Sequence, residues 1–84
     1  MTMAKIKLYQ RVALTTDIPQ YNLRQGDVAV VVEHLPGTAA SGGEDGYALE
    51  VFNAVGDTIA VVIVPASAVK PLTEHEILQA RLLS

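Results

Sequence analysis

His34 and His75 are the two imidazoles of this chain, and they fall on different segments. Each stands beside carboxylates: Glu33 precedes His34, and Glu74 and Glu76 flank His75. A metal site usually converges three or four ligands. Adjacent residues on a strand or in a first helical turn point in different directions, so neither group builds a chelate alone. Ser41, Ser67 and Ser84 lie in turn-like settings with no visible base and orienting group to activate a hydroxyl. Asp27 and Asp57 each follow a glycine, where turn chemistry accounts for them. The segment Pro36–Gly46 is rich in glycine, but it matches no phosphate-loop spacing. It also carries no lysine, and Glu44 and Asp45 would repel an anion. A domain this small has little room for a deep pocket that would shift a carboxylate. The sequence therefore predicts a protein that is not an enzyme, with no catalytic residues, no cofactor and no metal.

The cations offer a second chemistry. Lys5, Lys7, Arg11, Arg24, Lys70 and Arg81 are all of them, six against nine acids, for a net charge of -3. Nucleic-acid surfaces need clustered cations, so this balance argues against one. The alternative reading is a nucleic-acid-associated module in which Lys5, Lys7 and Lys70 adjoin across the first and last strands. Tyr9 or Tyr21 would then offer a stacking face. The simpler role for those lysines is to guard strand edges.

The elements that must position these residues are β-strands. Two apolar runs, Val28–Leu35 and Thr58–Val64, are each entered through a Gly-Asp pair. Tyr47–Phe52 alternates cleanly between them, so the three predict an antiparallel meander. Val28–Leu35 shows no polar parity until Glu33. This predicts either burial of both faces or a bulge between Val28 and Val31. Leu8–Leu14 alternates well enough for a first strand, spoiled by Gln10. Thr15–Gln25 is a long loop whose Ile18 and Leu23 plug it to the sheet. Pro36–Gly46 has too little apolar surface to order itself, which predicts a mobile hairpin tip. Pro65–Ala68 reads as one helical turn, and Val69–Leu72 as a short last strand held to an edge by Pro71. The period then changes. Thr73 and Glu76 form a capping box, and Ile77, Leu78, Arg81 and Leu82 share one helical face.

The expected fold is all-β: a small SH3-like barrel of about five antiparallel strands over residues 1–72. A short C-terminal amphipathic α-helix over 73–84 packs on the barrel or on a partner. No cysteine is present, which excludes a disulfide-stapled scaffold. No apolar run approaches the roughly 20 residues of a membrane span, and the start does not read as a signal segment. A cytoplasmic, non-membrane protein is expected.

Hydrophobic residues make up 50% of the chain and charged residues 18%, below the roughly 25% charge usual for soluble domains. A small domain has much surface and little interior, so part of this apolar excess calls for cover. That predicts a protein-interaction or self-association module, a homo-oligomer or a small hetero-complex. The predicted contact surface combines Ile18, Tyr21 and Leu23 of the first loop with the outward parity of the Val-rich strands. Ile77, Leu78 and Leu82 of the tail complete it.

From Val12 to Leu72 the chain resembles the small bacterial proteins catalogued as domain of unknown function 4926. The likeness rests on Asp17-Ile18-Pro19, on Leu23-Arg24-Gln25-Gly26-Asp27, and on Val31-Val32-Glu33 with Pro36-Gly37. It continues in Tyr47–Phe52, in Gly56-Asp57-Thr58, in Val64-Pro65-Ala66 and in Val69-Lys70-Pro71-Leu72. The resemblance implies an SH3-like fold and no established activity. It also implies a further alternative, an antitoxin-like neutralising partner of a neighbouring gene product, which it assigns to no residue. The chain departs from the family in the insertion around Thr38–Gly43 and in its tail. Gly26-Asp27 followed by valines is also similar to the start of ribosome- and RNA-associated SH3-like modules, a feature shared by many barrels.

Overall fold

A computed structural model describes residues 6–78 and 80–82. Five strands follow one another: β1 (Arg11–Leu14), β2 (Val28–Leu35), β3 (Gly46–Phe52), β4 (Thr58–Pro65) and β5 (Val69–Pro71). They form one antiparallel sheet in the order β4-β3-β2-β1-β5. The meander β2-β3-β4 is as the alternation predicts, and β5 returns to the far side of β1.

One face carries the core. Val12 and Leu14 of β1, Ala29 and Val31 of β2, Leu49 and Val51 of β3, and Val62 and Val64 of β4 are all buried. Ile18 and Leu23 complete it from the first loop, where they face each other in an isolated antiparallel bridge. They close the loop as plugs. The alternation in β2 holds through Val31. Val31 then pairs with Leu49 and Glu33 with Ala48, so Val32 is the extra residue. The bulge thus lies four residues into the strand, not between Val28 and Val31. A second irregularity sits in β4, where Val51 pairs with Ala60 and Phe52 with Thr58, leaving Ile59 over.

Three expectations need correction. The first strand begins at Arg11, not Leu8. Leu8 and Tyr9 instead occupy the centre of a tight turn, with the Gln10 amide donating to the Lys7 carbonyl at 3.2 Å and Tyr9 at φ +65°. Alternating residue types hid that turn. The Pro36–Gly46 connection is organised rather than bare. The Asp45 carboxylate accepts from the Gly37 amide (2.8 Å), the Gly43 amide donates to the Thr38 carbonyl (2.8 Å), and the Glu44 carboxylate accepts from the Ser67 amide (2.9 Å). Polar groups, not apolar surface, hold it. Lastly, no helix forms among the described residues of the 73–84 segment; Gln79, Leu83 and Ser84 lie outside the described residues. The capping groups are in place, with the Thr73 amide donating to Glu76 Oε1 (3.0 Å) and the Glu76 amide to the Thr73 carbonyl (3.1 Å). They close a single turn. A helix of three turns is marginal alone, and contacts with the sheet domain draw this segment out.

The single turn between β4 and β5 is present as a 3-10 turn at Ala66–Ala68. It is pinned by the Thr15 amide and hydroxyl, which donate to the carbonyls of Ala68 and Ser67.

Candidate functional site

Two surfaces stand out. The first lies where the tail comes back to the sheet. Arg24, Gln25, Gly26 and Asp27 form a turn closed by the Asp27 amide on the Arg24 carbonyl (3.0 Å), with Gly26 at φ +92° in its third position. That position requires a positive φ, which glycine adopts without strain. The turn aims the Asp27 carboxylate outward beside β2. Arg81 meets it with a fork: Nε donates to Oδ1 at 2.7 Å and an Nη donates to Oδ2 at 2.6 Å. The same guanidinium reaches the Asn22 carbonyl, and the Arg24 amide donates to Asp27 Oδ2. Paired donors of this kind give both energy and orientation. The Arg81 guanidinium holds the Asp27 carboxyl below its ordinary value of 3.8, against an opposing effect of burial. Arg81 itself is raised by the same bond.

Beneath this clamp runs an open groove of about 650 Å³. Leu23, Val28, Phe52, Val55 and Ile59 line it, together with Leu78 and Leu82 of the tail. Of the residues that the sequence picked out for contact, Leu23, Leu78 and Leu82 meet here. Ile18 and Leu23 are buried and belong to the core, while Tyr21 is exposed on the 3-10 turn next to Asn22. The tail covers little: Ile77 and Leu82 remain about 90% exposed, at 89% and 90%.

The second surface is the outer face of β4. Val62 and Val64 point into the core, and Ile59, Val61 and Ile63 point away, 41%, 61% and 63% exposed. Phe52 of β3 adds to the same face. This row is the outward parity of a Val-rich strand, which the sequence counts in the contact surface without naming these residues. Its signal is the IAVVIV run itself, which has no polar parity although an edge strand usually carries one.

Both histidines contact a carboxylate. His34 Nε2 lies 2.9 Å from Asp45 Oδ2, and its ring packs tilted on Tyr47 with centroids 5.4 Å apart. His75 approaches Glu74 at 3.7 Å on an exposed turn. Among the described residues, no group of three or more His, Asp or Glu is placed to hold a metal ion. No helix among them is long and apolar enough to cross a membrane. Lys70 pairs with Glu76 at 3.3 Å, and Lys5 lies outside the described residues.

A family model described as Domain of unknown function (DUF4926) matches residues 8–71. The chain belongs to this family. The match takes in all five strands and Asp27, and it stops before Thr73, so Arg81 and the rest of the tail lie beyond it. Neither the curated proteins nor the solved structures yield a match.

Proposed function

We propose that this DUF4926 protein is a non-enzymatic protein-interaction module that self-associates or joins a small protein partner. The observation that carries the reading is the outward row Ile59, Val61 and Ile63, with Phe52 beside it. Contiguous apolar surface of this kind on a small domain marks a contact face. The scaffold behind it is read as an SH3-like barrel. Support comes from the strand order β4-β3-β2-β1-β5, the long loop between β1 and β2, and the 3-10 turn before β5.

The tail contributes in a second way. Arg81 returns to Asp27 of its own chain, so the tail's exposed Ile77 and Leu82 are presented next to the groove. Tyr21, Leu78 and Leu82 then rim a contact surface on that side, with Ile77 on the approach to it. The nucleic-acid alternative draws less support, since Lys70 and Arg81 are both engaged by carboxylates. The antitoxin-like alternative would use the same apolar face against a non-identical chain.

The test is light scattering over a wide concentration range, with and without co-expressed genomic neighbours. Concentration-dependent mass, or a stable co-purifying chain, is expected, and the double change Val61→Lys with Ile63→Lys removes it. A monomer at every concentration that retains no partner overturns the reading. Nucleic acid bound at low salt and released at high salt would favour the alternative instead.

A further inference from the structure

The two edges of the sheet are unlike. β5 is three residues long, carries Lys70 at its centre and ends in Pro71. Short length, an outward lysine and a proline are the devices by which proteins keep an edge from pairing. β4 is eight residues long, its sequence TIAVVIVP holds no charge, and its one proline is the last residue. No charged residue occurs from Thr58 through Val69. Among the described residues, β3 is the strand that pairs with β4, so its other side is a free edge. A free edge presents unpaired backbone donors and acceptors, and another strand satisfies them best.

We propose that β4 pairs antiparallel with β4 of a second copy, about a two-fold axis passing between the strands near Val61 and Val62. This rests on the self-association reading above and names its partner and geometry. The segment Ile59-Ala60-Val61-Val62-Ile63 reads nearly the same in both directions in size and polarity. An antiparallel two-fold keeps faces matched, because cross-strand neighbours project to the same side. Val61 and Ile63 of one copy then meet Val61 or Ile63 of the other on the outer face. Ala60, Val62 and Val64, which line the core in each copy, continue their row from one sheet into the next. No charge is buried in the joint. Two-fold pairing of one patch with itself is also the commonest closed assembly, and it leaves both long edges covered. A foreign strand would need some feature of β4 to select it, and the uncharged, near-palindromic row supplies none.

The absence of cysteine makes the test clean, since any thiol is an introduced one. Single variants Val61→Cys, Ile63→Cys, Val55→Cys and Lys70→Cys are treated with a short bis-maleimide. All four positions are exposed, so folding is checked by circular dichroism and not expected to change. Covalent dimer is expected from Val61→Cys, from Ile63→Cys, or from the mixture of the two, whichever the register favours. Val55→Cys in the β3-β4 turn and Lys70→Cys on β5 stay monomeric. Val61→Lys sets like charges near each other across the axis and is expected to raise the concentration of half-dimerisation about tenfold or more. If scattering shows a dimer but Lys70→Cys or Val55→Cys cross-links instead, the β4 pairing falls while self-association stands. A monomer with a different bound protein also overturns the pairing but leaves the interaction reading intact. A monomer with no partner removes both.

Discussion

Gly26 offers a measurement in which the backbone alone decides the result. A Cβ built on it meets nothing within 4 Å, so Gly26→Ala brings no clash. Its φ of +92° is what an L-residue resists. The cost of forcing an L side chain there is about 1–2 kcal/mol. For a domain of this size each kcal/mol lowers Tm by roughly 4–8 °C. Asparagine tolerates positive φ better, so Gly26→Asn should cost less. D-Alanine, introduced by chemical synthesis, reverses the sign. Its preference is the mirror image, and it removes unfolded-state freedom worth about 0.4–1 kcal/mol. The assay is thermal and urea unfolding followed by circular dichroism, with the three variants compared in one buffer. Gly37 is the contrast: a Cβ there runs into the backbone carbonyl of Gly43, so Gly37→Ala displaces the β2-β3 connection by a clash and not by its φ. If L- and D-alanine at position 26 shift the midpoint alike, the turn does not depend on the sign of φ. The account of how Asp27 is aimed would then be wrong.

Two further outcomes follow from the clamp and the carboxylates. Asp27→Asn and Arg81→Gln each free the tail, so backbone heteronuclear NOE values for residues 77, 78 and 80–82 fall while strand resonances hold their positions; an equally ordered tail in both variants refutes the clamp. Asp27, Glu44 and Glu76 are all held below their ordinary values of 3.8, 4.5 and 4.5, by Arg81, by Ser67, and by Thr73 with Lys70. Groups lowered on folding add stability that is complete above those ordinary values and is lost as pH falls through the lower folded ones. The urea midpoint should therefore be level above about pH 5 and drop below about pH 4, and a flat profile down to pH 3 would contradict these assignments.

Much of the sheet was legible because residue type and local geometry agree. β2 spans Val28–Leu35 as its β-branched run indicates, and the 3-10 turn at Ala66–Ala68 follows Pro65. Leu8 and Tyr9 continue the alternation of β1 beyond its true start at Arg11, and only a left-handed φ at Tyr9, uncommon for an aromatic residue, ends it. The helix failed for a different reason. Thr73 and Glu76 supply a valid start, but Glu76 also meets Lys70, and Arg81 finds Asp27 54 positions away. Long-range partners outweighed a weak local preference, and no local pattern encodes them. Ile18 and Leu23 suit either a plug or a contact by type; both are buried as plugs, and Leu23 also lines the groove. Neither apolar strand declares from its letters which one sits at the margin. Only the strand order shows that, among the described residues, β4 has β3 as its one neighbour.

Val32 has no counterpart in β3, and the pairs on either side of it, Val31 with Leu49 and Glu33 with Ala48, are consecutive along that strand. It is a spare link. A chain lacking it would keep its whole list of partners, with Val31 still inside and Glu33 still outside. What would go is the extra coiling that a surplus residue imparts. Curvature in this protein is thus written separately from pairing, and a single codon could flatten the one while sparing the other.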